Sequence, residues 1–345
     1  MEISSPAVAG YYYHIYKIIY PFFGSSTSPY IALLLSLVVF AILVSIILIG
    51  FAVVAGWLER KIMARIQARH GPTYLGKFGI LQNLADVVKL LSKEDIKFDY
   101  ADPIYPFVLP FIFAIFVIGI VIIPFTPSFV GMYSSLALLL VFVVLSFSPL
   151  LIFVAAWASG NKFSSISAQR SIGVMASYEI PLMLVIVSVG LLANSYNFSS
   201  IVNSQVSMWF VALMPIGFFV FFVTMLAELE RPPFDVKEAD NELVAGWLTD
   251  LSPKYYALAL MLDYTRLLFG SMLIAILFFG GWLGPNFLPP YAWMLAKVFI
   301  IVVVIIGIRA MLNRMRIERI LHLGWNVMLP LAVINLLATF IFFIR

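Results

Sequence analysis

Polar positions along this chain are gathered into a few short blocks, and long apolar stretches fill the space between them. Uninterrupted apolar runs lie near 31–57, 104–125, 133–156, 172–193, 209–227, 259–282, 291–312 and 326–344. Each is long enough to cross a hydrocarbon core of about 30 Å, which takes roughly 20 helical residues. Backbone amides in lipid have no water to bond, so such runs fold as helices. One further stretch has a different rhythm: Ile80, Leu81, Leu84, Val87, Val88 and Leu91 repeat at helical spacing, while Gln82, Asn83, Asp86, Lys89 and Lys93 share the opposite face. That pattern predicts an amphipathic helix over about 79–94 lying on the membrane surface. It reads either as an anchor or as the floor of a doorway for a lipid-soluble substrate entering from the bilayer. The predicted fold is an all-α polytopic membrane protein with about eight transmembrane helices and one amphipathic inner-surface helix. Residues 31–345 form a single transmembrane domain. Residues 1–30 lack the basic start of a signal peptide, and their YYYHIYKIIYPFF cluster predicts an aromatic anchor at the outer interface; a ninth crossing there stays open.

Composition supports this reading and charge orients it. The chain is 63% hydrophobic and 11% charged, whereas soluble domains carry about 25% charged residues. The cations fall almost entirely in alternate connections: Arg60 to Lys97, then Lys162 and Arg170, then Arg231, Lys237 and Lys254, then Arg309 to Arg319. The connections between them, TPSFVGMYSS, NSYNFSSIVNSQVS and GWLGPNFLPPY, carry no charge. By the positive-inside rule the charged loops face inward and both termini face outward. The net charge of +4 is therefore topological and implies no nucleic-acid partner. Cysteine is absent, which removes thiolate metal sites and Cys-ligated iron–sulfur clusters from this chain. The three histidines have no ligand spacing, and no glycine-rich phosphate loop appears.

Against this apolar background the acids stand out. Glu228, Glu230, Asp235, Glu238, Asp240, Glu242 and Asp250 make seven of the seventeen acids, all within an inner loop spanning 228–254. Arg231-Pro232-Pro233-Phe234 must end any helix entering the loop, because proline lacks a donor and restricts its predecessor. Crowded, partly buried carboxylates raise one another's proton affinity, so the loop reads as a proton- or cation-handling surface, with a plain solvated loop as the bland alternative. Glu179 sits seven residues into its predicted span, about 10 Å below the inner boundary at 1.5 Å per residue. An ionised carboxylate there costs about 2.5 kcal/mol or more unless paired, which marks a functional position. Three other charge groups have simpler explanations: Glu59, Arg60 and Lys61 as interfacial charges, Asp263 and Arg266 as a local ion pair three residues apart, and Lys297 as an outward-snorkelling amine.

Six motifs then carry a resemblance covering nearly the full length. They are ERKIMARIQARHGP (Glu59–Pro72), GKFGILQNLADVVKLLSKED (Gly76–Asp95), WAS-x-NK (Trp157–Lys162), SYE (Ser177–Glu179), AELERPPFDVKEADNELVAG (Ala227–Gly246) and LGWNVMLP (Leu323–Pro330). In this set and order the chain resembles the H-type, or subunit 1, membrane subunit of respiratory complex I, the proton-pumping NADH:quinone oxidoreductase. The resemblance implies eight tilted helices and a surface helix, docked beneath a hydrophilic arm whose subunits hold the iron–sulfur clusters and complete the quinone site. It implies small and antiporter-like membrane subunits as further neighbours, with lipid around them. Quinone is the implied substrate, and no cofactor is bound by this chain. The implied proton relay is Glu59, Glu179, Glu228, Glu238, Asp240, Glu242 and Asp263; Arg60, Arg65, Arg69, Arg231, Phe234 and Asp235 would wall or shape the quinone chamber. Departures from the family pattern are Lys237 before Glu238, Asp240 for glutamate, Asp250-Leu251 for Glu-Tyr, Asp263 for glutamate and Asn326 for lysine. Glu230 is an additional acid with no assigned role.

The resemblance implies a non-redox subunit of a quinone-reducing translocase in an energy-transducing membrane. Ferredoxin- or hydrogenase-linked pumping complexes are the nearest alternative. A stand-alone ion-coupled transporter would instead be active when purified alone, and a purely structural anchor would tolerate loss of Glu59, Glu179 and Glu228 together.

Overall fold

The computed structural model describes residues 29–96, 100–127, 134–237, 240–285 and 287–343. The aromatic segment expected over 1–30 lies outside these apart from its last two residues, as does Glu238. Helices account for every regular element described. Seven are long and apolar enough to cross a membrane, and an eighth apolar helix, Pro215–Glu228, is shorter.

The first span, α1 (Pro29–Ile66), runs nine residues past its predicted end at 57. The surface helix follows as α2 (Gln82–Ser92), shorter than expected because Lys77–Gly79 forms a separate 3₁₀ turn and Lys93 is extended. Next come α3 (Tyr105–Ile122), α4 (Ala137–Ala158) and α5 (Lys162–Ala193). α5 begins ten residues before the predicted 172. The polar segment there holds no helix breaker, and Asn161 caps it by accepting a bond from the Phe163 amide at 2.8 Å. At 1.5 Å per residue its 32 residues exceed a 30 Å core, so its first turns project from the membrane.

After a short α6 (Phe198–Ser204), the fifth span is not the continuous helix expected over 209–227. It breaks into α7 (Phe210–Leu213) and α8 (Pro215–Glu228) at Met214, whose backbone is non-helical. Pro215 explains the break: it disfavours helical geometry in its predecessor and starts α8 where no amide donor is needed. α8 then stops before Pro232-Pro233, as the sequence predicts. The chain continues through α9 (Asp240–Leu243), α10 (Pro253–Phe278) and α11 (Pro290–Met311). The last span joins α12 (Ile317–Leu323), a π-helical turn at Gly324–Met328 and α13 (Leu329–Phe343).

α5 is the central post, packed against α4, α8 and α13, while α10 packs against α1, α3 and α11. One interior fills both halves: Phe116 and Phe269 meet edge to face at 5.4 Å, and Phe221 and Phe278 lie 5.2 Å apart. Lipid-facing positions such as Ile46, Phe111, Phe147, Phe299 and Phe340 stay exposed. The connections gather at two ends, as the charge alternation predicts. At the charged end, the Asp102 amide donates to Ala158, Met315 donates to Pro233, and the Tyr105 hydroxyl donates to Asp250. At the uncharged end, Leu138 donates to Tyr196 and the Gly280 amide donates to the Gln205 side chain.

Candidate functional site

The acidic segment after α8 is drawn inward and tied to four helices. α8 ends with Leu229 as its cap, and Glu230 follows in left-handed geometry at φ 50. Glycine or asparagine usually fills this position, because other side chains pay about 1–3 kcal/mol there. Glu230 is held in place by its carboxylate, which is buried at 8% exposure. Arg266 Nη1 donates to Oε2 at 2.7 Å, Lys237 Nζ lies 2.9 Å from the same oxygen, and the Ser171 hydroxyl donates to Oε1. Burial pushes this carboxyl up, but Lys237, Arg266 and Ser171 outweigh it and hold it down at about 2.

Arg266 therefore does not form the local pair expected with Asp263. Its guanidinium is 2% exposed, and Nη2 donates to the Glu228 backbone carbonyl at 2.6 Å. Asp263 instead lies 3.5 Å from Lys237. A helical i,i+3 pair is worth only a few tenths of a kcal/mol; a buried guanidinium does better by turning to the carboxylate and carbonyl that close the end of α8. Glu230 and Lys237 thus pair with each other.

A second cluster lies alongside. Glu59 is buried in α1 and takes one arginine on each carboxylate oxygen: Arg231 Nη1 at 2.9 Å, and Arg309 from α11 on the other. It is more than the interfacial charge the sequence suggested. The Arg231 guanidinium is 5.4 Å above the Tyr264 ring centre, and Asp263 lies within its electrostatic reach. Glu59, Arg231, Asp263, Lys237, Glu230 and Arg266 thus form one chain of alternating charge that ends beside Glu228. Glu228 is 5% exposed, and its Oε1 is buried without a hydrogen-bond partner. Glu179 on α5 is half-buried and close enough to act on Glu228 electrostatically. Its neighbour Tyr178 packs edge to face on Phe234 at 5.3 Å and donates to the Ile320 carbonyl, which fixes the turn after the two prolines.

The structure separates the remaining expected residues. Glu242 is exposed and clamped by Arg170 at 2.5 Å and Arg314 at 2.7 Å; the Arg170 hydrogen bond leads the effects that hold its carboxyl below the usual range. Asp235 is half-buried next to Phe234. Arg65 and Arg69 are exposed beyond the cluster, with Arg69 bonded to Gln67. The Asp240 backbone opens α9, and its side chain lies outside the described residues. Sequence reasoning assigned no role to Glu230 and treated Arg266, Lys237 and Arg309 only as a local pair, a departure and a topogenic charge. Glu230 sits in the motif itself, which was the only signal available for it.

Between α1, α2 and α10 lies a groove of about 80 Å³. Ile49, Ala52 and Val53 form one wall, Val87 and Leu90 the floor, and Leu260 and Met261 the far wall. Polar groups join this lining: Arg60 Nη1 donates to Asp86 at 2.6 Å, and Tyr264, whose ring carries the Arg231 guanidinium, borders the groove as well. Asn83, expected on the solvent face of α2, turns inward: it is 7% exposed and donates to the Val53 carbonyl at 2.9 Å. Gly56 makes that approach possible, since a Cβ there would lie 2.5 Å from the Asn83 amide nitrogen. Leu84, Val88 and Leu91 remain open on the other edge. Among the described residues, no group of three or more His, Cys, Asp or Glu side chains is arranged to hold a metal.

The profile of the NADH dehydrogenase family matches residues 37–340. The H subunit of the NADH-quinone oxidoreductase of Dehalococcoides mccartyi strain CBDB1 is 38% identical over 299 residues, covering 85% of this chain and 84% of the relative. The H subunit of the F(420)H(2) dehydrogenase of Methanosarcina mazei is 36% identical over 316 residues, covering 85% and 90%. The H subunit of the NADH-quinone oxidoreductase of Brevibacillus brevis is 36% identical over 307 residues, covering 88% and 91%. A profile match of this extent, and relatives this similar along most of both chains, place the protein in the NADH dehydrogenase family as an H-type membrane subunit of the complex I kind.

Proposed function

We propose that this chain is a non-redox membrane subunit of a complex I-like quinone oxidoreductase, in which it walls the quinone chamber and begins a carboxylate proton relay. One observation carries the reading: an apolar groove between α1, α2 and α10 meets, at Tyr264 and Arg60, a line of charges running from Glu59 to Glu228 and Glu179. A hydrophobic quinone would enter beside α2, with Arg60, Arg231, Phe234 and Asp235 shaping the space for its head group, and Arg65 and Arg69 facing the hydrophilic arm. Quinone reduction there changes local charge. A line of paired carboxylates and arginines transmits such a change, because each ion's field is weakly screened in a low-dielectric interior.

Iron–sulfur subunits of the arm would deliver electrons, and small and antiporter-like membrane subunits would receive the coupling signal. The charged end faces inward and both termini outward, in an energy-transducing membrane. Moving one charge against 100 mV requires about 2.3 kcal/mol, which quinone reduction supplies. The similarity to an F(420)H(2) dehydrogenase subunit supports a second reading of the electron donor, in which the input module oxidises a carrier other than NADH.

Glu179→Gln and Glu228→Gln test the relay in the intact complex reconstituted into liposomes. Each is expected to lower proton pumping and coupled quinone reduction by roughly tenfold or more, as loss of a positioned acid–base group does, while electron transfer to a water-soluble acceptor persists. Full pumping in both variants would rule the relay out.

A further inference from the structure

We propose that Lys237 is a positioning residue: an internal cation that, with Arg266, keeps Glu230 as a fixed anion and so leaves Glu228 as the proton-binding carboxyl of the cluster. The inference rests on the proton-relay reading above and specifies which of the crowded acids take part.

Bonding saturation is the first argument. Both oxygens of Glu230 are engaged, since Oε2 faces both Arg266 and Lys237 and Oε1 takes the Ser171 hydroxyl. A proton on this carboxyl would cancel the charge that the two buried cations face. Glu228 is different, because Arg266 bonds its backbone carbonyl and leaves Oε1 of the carboxyl unpartnered. Both acids line one small cavity with Ser171, Tyr178 and Ala227, and there the unpartnered oxygen of Glu228 can gain a proton without breaking a bond.

The second argument is how tightly the lysine is placed. Ser167 donates to the Lys237 carbonyl at 2.5 Å, and the Nζ sits 5.1 Å over the Trp247 ring. Gly246, at φ 57, comes so close that a Cβ would lie 1.8 Å from the same carbonyl oxygen. Backbone and side chain of one residue thus pin the loop to α5, α8, α10 and the Trp247 turn. Lysine is 2% exposed here, and a buried ammonium persists only when paired. The two cations balance the two anions Glu230 and Asp263. Around them, Glu59 takes both Arg231 and Arg309, Arg231 acts on Asp263, and Glu179 acts on Glu228. Removing one cation unbalances the group, and the neighbouring carboxylates then bind protons more readily.

The test uses the whole complex in liposomes with a short-chain quinone analogue, measuring protons pumped per quinone reduced across pH. Lys237→Met is expected to lower the pumping ratio and move the pH profile upward by about one unit. Lys237→Arg, which keeps the cation, retains the wild-type profile. The double variant Lys237→Met/Glu230→Gln removes one charge of each sign and restores much of the ratio. An unshifted profile in Lys237→Met, or a double variant as impaired as the single one, overturns the proposal. Assembly is scored too: a single variant that fails to assemble while the double one assembles supports charge compensation, and failure of both overturns it. Glu179→Gln and Glu228→Gln run in parallel separate the two readings, because full pumping in both variants condemns the relay itself whatever Lys237 does.

Discussion

Two of the described lysines bury their amines and are satisfied in opposite ways. Lys237 meets carboxylates, whereas Lys297, expected to snorkel outward from α11, turns back and donates to three carbonyls: Phe279 at 2.7 Å, Gly281 at 2.8 Å and Leu283 at 2.6 Å. Its Nζ also sits 4.9 Å over the Trp209 ring. These carbonyls follow the end of α10, where helix termini leave acceptors unpaired and favour a cation. Lys297→Met strands all three, so the protein should lose about 1–3 kcal/mol, seen as a lower unfolding temperature of the purified complex; an unchanged temperature would show that water replaces the amine freely. Neither lysine's role was readable from sequence. The partners of Arg266, Glu230 and Lys237 come from α5, the α8 terminus and α10, and Arg309 reaches Glu59 across 250 positions, so only the folded path brings them together. Glu59, Arg231 and Glu228 were legible because their chemistry sits inside dense motifs.

At the scale of elements, hydropathy located the spans well and their ends poorly. Apolar runs report lipid exposure, not helix length, so α1 and α5 extend through polar residues that hydropathy discards. The fifth span fails in the other direction, since Pro215 divides a run that hydropathy reads as continuous. The surface helix shows a subtler miss. Its amphipathic period was clear, but the polar residue Asn83 faces protein, because a single buried amide can bond a carbonyl of α1 where Gly56 leaves room. Asn83→Leu keeps the volume and deletes the donor. The lost bond is worth about 1 kcal/mol, so amide exchange across residues 82–92 should quicken by about five- to tenfold; unchanged protection would mean that α2 is held by apolar contact alone.

For the whole molecule, charge alternation and the two clusters of connections describe the same polarity, one from sequence and one from coordinates. The chain contains no cysteine, so single introduced thiols report sidedness without background. In sealed right-side-out vesicles, a membrane-impermeant maleimide should label Ser207→Cys, between α6 and α7, and spare Glu94→Cys beyond α2. The reverse pattern would invert the assigned orientation. Both positions are exposed in the fold. The fixing of α2 along one edge has a final consequence for this polarity. Asn83 and Arg60 moor the helix to α1, while Leu84, Val88 and Leu91 stay exposed among the described residues. The helix is a shelf supported on one side by protein, and in a bilayer its open side would meet acyl chains. The width of the opening beneath it is therefore shared between the fold and the leaflet, and the physical state of the lipid becomes one of the walls of the groove.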